Sequence, residues 1–203
     1  MNLINLIERL KGILLRPKQE WQTISAETTT IAELYKNYIV ILAAIGPLAS
    51  IIGMSIVGIS LPFVGAFRIP ITTSVVFAVV SYILSLVGVY VIAFIIDALA
   101  PTFSGEKNMN QALKVAAYSY TPGWIVGIFA IIPALSILGI LGLYGLYLLY
   151  LGLPVLMKSP QEKSLGYTVV VVIAAIIIFI VISFVSHAFL SYPTRSISMP
   201  GME

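Results

Sequence analysis

Residues 71–100 read "ITTSVVFAVVSYILSLVGVYVIAFIIDALA" and contain one charged side chain, Asp97. This run exceeds the roughly 20 residues that an α-helix needs to cross a hydrocarbon core of about 30 Å. Four further apolar runs occur along the chain. The predicted membrane-spanning helices cover residues 37–60, 74–99, 111–132, 134–157 and 165–190. The sequence therefore predicts a multi-pass membrane protein.

The composition supports the same class. Hydrophobic residues make up 60% and charged residues 9% of the 203-residue chain, whereas soluble domains carry about 25% charged residues. A single helix over residues 111–157 would reach about 70 Å, more than twice the thickness of the bilayer core, so a turn is predicted near Pro133. The predicted fold class is an all-α integral membrane protein, a bundle of five transmembrane helices preceded by a short amphipathic cytoplasmic helix.

The distribution of basic residues predicts the orientation of the bundle. Nine Lys and Arg residues fall on one side, namely Arg9, Lys11, Arg16, Lys18, Lys36, Lys107, Lys114, Lys158 and Lys163. Arg68 and Arg195 fall on the other side. The positive-inside rule then places the N-terminus in the cytoplasm and the C-terminus outside. Residues 1–35 become a cytoplasmic, interfacial segment, residues 36–190 the transmembrane domain and residues 191–203 an exterior tail.

The first residues, "MNLINLIERLKGILLRP", predict an amphipathic helix that ends at Pro17. Its apolar face consists of Leu3, Leu6, Ile7, Leu10, Ile13 and Leu14. Because basic residues flank this face and no soluble domain is predicted, we expect the helix to lie in the cytoplasmic interface of the bilayer. Packing on the bundle or on a neighbouring subunit is the alternative. Trp21 and Tyr35 suit the same headgroup level.

Small residues recur along two of the predicted spans. They are Ser74, Ala78, Ser81, Ser85 and Gly88 in the second span, and Gly139, Gly142 and Gly145 in the fourth. Such rows let another helix backbone approach closely, either within the molecule or in a dimer. We expect packing within the molecule.

Two spans are interrupted at mid-depth, by Gly46-Pro47 and by Pro122-Gly123. Proline removes one hydrogen bond from a helix, and broken helices at the bilayer midplane form the substrate sites of many carriers. Kinked helices that only pack together are the commoner arrangement. Both interpretations stay open on the sequence alone.

Asp97 lies near the cytoplasmic end of the second span, where its carboxylate is partly desolvated and close to the negative end of its own helix dipole. Lys114 lies at about the same depth in the third span. We therefore expect an ion pair between them, with the Tyr118 hydroxyl as a further donor. A carboxylate that reaches headgroup water unaided, or one that binds a cation or substrate, is the alternative. The candidate polar cluster is Asp97, Lys114, Tyr118, Thr121 and Pro122.

The composition argues against catalysis and against nucleic acid binding. The chain has no Cys for thiol chemistry, and one His cannot form a two-His metal motif. The net charge of +3 comes from residues that set topology. We expect no catalytic, cofactor or metal site. The expected partners are the lipid bilayer, a second copy of the chain, and a membrane or cytoplasmic protein.

Four stretches resemble the prokaryotic branch of the Yip (Ypt-interacting protein) domain family. In order they read "RPKQEWQTISAE", "AAIGPLAS", "DALAPTFSGEKNMNQALKVAAYSYTPGWIVGIFAIIP" and "LYGLYLLYLGLPVLMKSPQEKSLGYT". The matching positions are Pro17, Trp21, Phe103, Gly105, Tyr118, Pro122 and Pro133. The resemblance covers nearly the whole chain and implies a five-span protein of the prokaryotic cytoplasmic (inner) membrane, with its N-terminus inside.

The eukaryotic members are five-span Golgi and endoplasmic-reticulum proteins that bind Rab-type GTPases and act in vesicle formation. Their long cytoplasmic arm and Asp-Leu-Tyr-Gly-Pro motif are replaced here by residues 1–35 and by Glu33-Leu34-Tyr35-Lys36. The resemblance therefore implies a non-enzymatic membrane-organising or adaptor role without implying GTPase binding. A small carrier or channel that uses the interrupted helices is the alternative function.

Overall fold

The computed structural model describes residues 3–61 and 65–189. Within these ranges the chain is helical, as predicted, apart from one short β-ribbon. It begins with two helices, α1 (Leu3–Leu15) and α2 (Pro17–Ala26). Pro17 occupies the first position of α2, where its missing N–H costs nothing and its fixed φ favours a new helix. The proline therefore divides the N-terminal segment into two helices.

The first membrane segment, residues 31–57, is helical but repeatedly interrupted. It comprises α3 (Ile31–Leu34), a π-helical turn (Tyr35–Ile39), α4 (Val40–Ala43), α5 (Ile45–Ile52) and a second π-helical turn (Gly53–Val57). At its start the Thr30 hydroxyl accepts from the Glu33 amide at 3.3 Å, and the Glu33 carboxylate accepts from the Thr30 amide at 2.9 Å. The break between α4 and α5 follows from Pro47, which has no N–H for the Ala43 carbonyl.

A β-ribbon joins the first two membrane segments. Strand β1 (Ile59–Leu61) pairs antiparallel with β2 (Gly65–Phe67), and Ile59 lies opposite Phe67. Gly58 precedes the ribbon with a φ of 94°, a left-handed conformation that favours glycine. The ribbon is the one departure from the predicted all-α fold among the described residues.

Four longer helices complete the bundle, with 3₁₀ segments between them. The helices are α6 (Ile71–Leu99), α7 (Met109–Val126), α8 (Tyr144–Leu156) and α9 (Ser164–Ala188). The 3₁₀ segments are Ala100–Phe103, Gly127–Ile131, Pro133–Leu143 and Gln161–Lys163. The chain turns at Ile132, whose backbone is extended before Pro133. The turn lies where the sequence predicted it.

Four segments are long and apolar enough to cross a membrane. They are Ile31–Val57, Ile71–Phe103, Pro133–Leu156 and Gln161–Ala188. Helix α7, which covers most of the predicted third span, is not among them, because polar residues lower its hydropathy. Residues 112–119 are all buried, and α7 packs against α6, α8 and the 3₁₀ segment Pro133–Leu143. The least apolar of the predicted spans is therefore the centre of the bundle.

Parts of both predicted rows of small residues face other helices of the same chain, whereas Gly139 is exposed. Ser74 and Gly88 of α6 are buried, and the Ser55 hydroxyl donates to the Ser74 hydroxyl at 2.8 Å. A Cβ atom added at Gly145 would lie 2.4 Å from the Ser119 carbonyl oxygen, so α7 and α8 are in backbone contact there. These contacts support the interpretation as packing within the molecule.

The charged connections meet at one end of the bundle. The Glu106 amide donates to the Met157 carbonyl at 2.8 Å, and the Lys158 ammonium contacts the Glu106 carboxylate at 2.7 Å. Helix α2 lies at this end too, because Trp21 contacts α8 at Gly152. We call it the α2 end of the bundle.

Candidate functional site

A cluster of charged and aromatic side chains joins α1, α2 and α7. We call Arg9, Glu20, Glu27, Lys114 and Tyr118 the docking cluster. Arg9 of α1 forms ion pairs with Glu20 and with Glu27, and its side chain is only 13% exposed. The guanidinium also lies over the Tyr118 ring, 5.8 Å from the ring centre. Arg9 therefore ties α1 to both α2 and α7.

The electrostatic surroundings of Arg9 keep it charged. Burial lowers the pKa of the guanidinium, but the neighbouring Tyr118 and the two carboxylates outweigh burial, so the pKa is raised overall. A partly buried cation that faces two carboxylates is a paired charge, which a protein interior tolerates.

Lys114 makes the second connection in the docking cluster. Its side chain points to the C-terminal end of α2, where the ammonium donates to the Ile24 carbonyl at 3.0 Å and to the Glu27 carbonyl at 2.5 Å. The Gln111 amide group, one turn earlier on α7, donates to the Ser25 carbonyl at 3.1 Å. The last carbonyls of a helix lack partners within it and carry partial negative charge. Lys114 and Gln111 donate to these carbonyls, and the Ile24 carbonyl also accepts from the Glu27 amide at 3.3 Å.

A column of aromatic rings and hydroxyls continues from the docking cluster into the bundle. The Tyr38 and Tyr118 ring centres are 4.6 Å apart, and the Tyr38 hydroxyl is 2.6 Å from the Thr121 hydroxyl. Tyr38 also contacts Trp124 edge to face, with 6.4 Å between ring centres. Trp21 closes the column on the α2 side, 6.1 Å from Tyr118. The predicted residues Lys114, Tyr118 and Thr121 thus share one face of α7, and this face is covered by protein.

The predicted ion pair between Asp97 and Lys114 is wrong. Among the described residues no salt bridge joins them, because Lys114 is bound to the end of α2 instead. Asp97 is half-buried on α6, and its Oδ1 atom is buried with no hydrogen-bond partner in the described part of the chain. The Tyr167 hydroxyl reaches the neighbouring carbonyl of Ile96. Asp97 therefore stands apart from the docking cluster.

The N-terminal helix lies against the bundle, which is the alternative interpretation of its apolar face. Leu6 and Ile13 are buried by protein, and Leu10 and Leu14 pack partly against the same core. Ile7 is 45% exposed. The side chain of Leu3 lies outside the described residues. The expectation that this whole face lies in the bilayer interface is wrong, and Trp21 is likewise fully buried rather than at headgroup level.

Of the two predicted helix interruptions, the one at Gly46-Pro47 is present and the one at Pro122-Gly123 is not. Residues of both motifs line one pocket of about 240 Å³. Gly46 and Pro47 of α5 form one wall, and Gly123 and Trp124 of α7 form another. The third wall belongs to α6 and includes Ser81 and Ser85. Helix α7 runs unbroken through Pro122, which is buried.

Sequence reasoning missed four residues that build this site: Arg9, Glu20, Glu27 and Tyr38. The sequence placed Arg9 only among the basic residues of the cytoplasmic side. One signal was present, since residues 1–35 contain four acids, Glu20 and Glu27 among them, and equally many basic residues. Their partner could not be read from the sequence.

The described residues contain no group of three or more His, Cys, Asp or Glu side chains that could hold a metal ion. A helical bundle with several apolar segments of membrane-spanning length and a polar centre covered by its own N-terminal helices defines a multi-pass membrane protein. The chain belongs to the Yip1 domain family, whose family model matches residues 11–183. The family resemblance seen in the sequence is confirmed.

Two curated relatives match the chain at the same level. They are the inner membrane protein YohC of Escherichia coli strain K12 and that of an Escherichia coli O6:H1 strain, each 25% identical over 161 residues. The match covers 77% of this chain and 83% of each relative. No solved structure matches the chain. The protein is a multi-pass protein of the prokaryotic inner membrane.

Proposed function

We propose that the protein is a non-enzymatic membrane-organising or adaptor protein, and that α1 and α2, held by the docking cluster, form its partner-binding platform. The observation that carries the proposal is the closure of α1 and α2 over α7. Lys114, Tyr118 and Thr121, the polar groups that a transport path would use, are engaged by Ile24, Arg9 and Tyr38. The names of the family and of its relatives carry no enzymatic designation.

The proposal includes five spans, with the N-terminus in the cytoplasm and the C-terminus outside. Helix α7 has 18 residues and continues into a 3₁₀ segment of five, which together reach about 37 Å, enough for a core of about 30 Å. The contact between Glu106 and Lys158 supports a fourth span that returns to the side where the third begins. The positive-inside rule assigns that side to the cytoplasm.

The platform presents exposed cations that form no hydrogen bond or ion pair among the described residues, namely Lys11, Arg16 and Lys18. Two further cations of this kind, Lys36 and Lys107, lie outside the platform on the side that the charge count assigns to the cytoplasm. Positive charge at the cytoplasmic surface attracts anionic lipid headgroups and acidic protein surfaces. We propose the bilayer, a membrane or cytoplasmic protein, and a second copy of the chain as partners.

Reconstitution tests the organising role against transport. Protein in vesicles of phosphatidylethanolamine and phosphatidylglycerol is expected to change vesicle diameter and shape in electron cryomicroscopy, with no flux of small solutes or ions above protein-free vesicles. Arg9→Met, which releases α1, is expected to weaken the shape change. Arg16→Met is the matched control, because Arg16 is exposed and outside the docking cluster. The proposal is contradicted if the unsubstituted protein leaves the vesicles unchanged and Arg9→Met gives the same result.

A carrier is the second candidate, and the pocket between Gly46-Pro47 and Gly123 favours it. Its polar lining includes Ser50, Ser81 and Ser85. Solute or ion flux that Gly123→Leu blocks would support this function. Such flux would overturn the proposed organising role.

A further inference from the structure

A second pocket, of about 390 Å³, lies between α7, α8 and α9. Sixteen residues line it, and all but Ser119 and Tyr120 are apolar or glycine. The pocket is larger and more apolar than the one beside Pro47. Its lining excludes a charged ligand, because a charge without a partner in an apolar site is costly.

The lining passes from the lipid-facing surface to the interior. Ile176 and Phe179 of α9 are 53% and 68% exposed, whereas Ala116 of α7 and Ile92 of α6 are almost fully buried. The mouth therefore lies on a surface that faces lipid, and the floor is formed by the central helices. A molecule that fills the pocket touches α7, which lipid around the bundle does not reach.

Glycines leave this space open. A Cβ atom added at Gly123 or at Gly139 would have no heavy atom within 4 Å. At Gly145, by contrast, α8 approaches the α7 backbone too closely for a side chain. The two helices thus touch at Gly145 and leave a gap near Gly139.

The pocket runs along the helices. Its lining on α9 extends from Val171 to Phe179, which is about 12 Å along the helix axis. Val171 lies seven residues after the start of α9 at Ser164, or about 10 Å deeper than the α2 end. With a hydrocarbon core of about 30 Å, this depth corresponds to the far part of an acyl chain from the leaflet at that end.

We propose that this pocket binds the distal part of one phospholipid acyl chain, inserted between α8 and α9 and resting on α7. The size, the apolar lining and the continuity of the mouth with the lipid-facing surface carry the proposal. It is independent of the organising role proposed above, since it requires only that the bundle spans a membrane.

The test uses phospholipids whose acyl chain carries a photoreactive diazirine, either at the chain end or next to the ester. After reconstitution with trace probe and illumination, digestion and mass spectrometry locate the adducts. The chain-end probe is expected to modify α7 between residues 116 and 123, and the ester-proximal probe is not. The chain-end probe is also expected to modify the lipid-facing side of α9 near Ile173, which is 53% exposed, outside the pocket and near mid-depth. The ester-proximal probe should instead label near Phe184, which is 78% exposed and close to the opposite membrane surface.

Gly139→Leu fills the pocket and is expected to abolish the α7 adduct while the chain-end adduct near Ile173 remains. Val181→Leu, on the exposed face of α9, adds volume outside the pocket and is the matched control. If Gly139→Leu does not fold, Ala175→Leu fills the same space from the α9 wall.

Two results would overturn the proposal. One is an α7 segment without chain-end adducts in a protein whose α9 is labelled. The other is an α7 adduct that persists in a folded, pocket-filled variant. If Gly139→Leu instead converts an oligomer to a monomer and no α7 adduct forms in either protein, the pocket holds a second copy of the chain and not a lipid.

Discussion

The Lys114 ammonium lies 3.0 Å from the Ile24 carbonyl oxygen, so the centre of the bundle is fastened to the end of a helix that precedes the first span. A charged donor on the last carbonyls of α2 compensates the partial negative charge of the helix end, and it adds to the Glu27 amide that already donates to the Ile24 carbonyl. The contact explains why the lysine is buried without a carboxylate bound to its ammonium group.

Lys114→Met is expected to destabilise the protein by about 1–3 kcal/mol, because the two carbonyls lose a charged donor. Reversible unfolding in mixed micelles measures the free energy. Hydrogen exchange should show faster exchange in residues 17–27, with α9 still protected. Lys107→Met is the control, since Lys107 is exposed. Equal effects of the two substitutions would argue against the role of Lys114.

Asp97→Asn and Lys114→Met are expected to be additive. Because the two side chains do not contact each other, the coupling energy from a double-mutant cycle should stay within about 0.5 kcal/mol. Unfolding of the two single variants and the double variant provides this value. A larger coupling would restore the ion pair that the sequence suggested.

Arg9→Met and Glu27→Gln are expected to couple, with an interaction energy of about 0.5–3 kcal/mol, because the guanidinium and the carboxylate form a partly buried pair. The single change at Arg9 should also speed hydrogen exchange in α1. The cycle of Arg16→Met with Glu27→Gln is the control and should show no coupling. Strict additivity of Arg9→Met and Glu27→Gln would show that this ion pair does not help to hold α1 on the bundle.

Gly145→Ala and Gly123→Ala are expected to differ in sign. The new Cβ atom at position 145 would lie 2.4 Å from the Ser119 carbonyl oxygen, and such overpacking costs about 1–3 kcal/mol. At position 123 the methyl group meets open space, and the higher helix propensity of Ala leaves stability unchanged or slightly increased. Thermal unfolding in detergent compares the two variants, and equal losses would refute the backbone contact at Gly145.

Reporter fusions test the proposed five-span topology. A fusion after Glu162 is expected to report the cytoplasm, and a fusion after Tyr192 the exterior, because an odd number of spans separates the termini. An alkaline phosphatase reporter is active outside and a fluorescent reporter inside. If the two fusions report the reverse pattern, or both report the same side, the five-span topology fails.

Hydropathy was sufficient to predict where the helices lie. Apolar length located the four segments of membrane-spanning length, and the proline at position 133 located the turn before α8. Both features depend on local properties of the chain. The helix breaks near Pro17 and Pro47 are also local features, because a missing N–H acts within one turn.

Hydropathy could not predict what covers each helix. The apolar stripe of α1 fits lipid and protein equally well, and the surfaces that it contacts belong to α2 and α7, of which α7 lies far away along the chain. A Cβ atom added at Gly152 would lie 2.7 Å from the Trp21 ring. The two residues are far apart in the chain, so their contact could not be predicted from hydropathy. For the same reason Trp21 was assigned to the headgroups although it is buried.

The error at Asp97 has a geometric cause. Counting residues along two helices gives their relative depth, and Asp97 and Lys114 are close in depth on this count. It gives no information on the direction in which each side chain points around its helix. Lys114 points towards α2, which the depth argument had placed outside the bundle.

The order of synthesis adds a consequence to the burial of α7. The groups that bind Gln111, Lys114 and Thr121 are Ser25, Ile24, Glu27 and Tyr38, and all of them precede α7 in the chain. Because chains fold from the N-terminus while they are made, these partners have already left the ribosome when α7 emerges. Helix α7 can therefore satisfy its polar side chains as soon as it emerges, without waiting for α8 or α9.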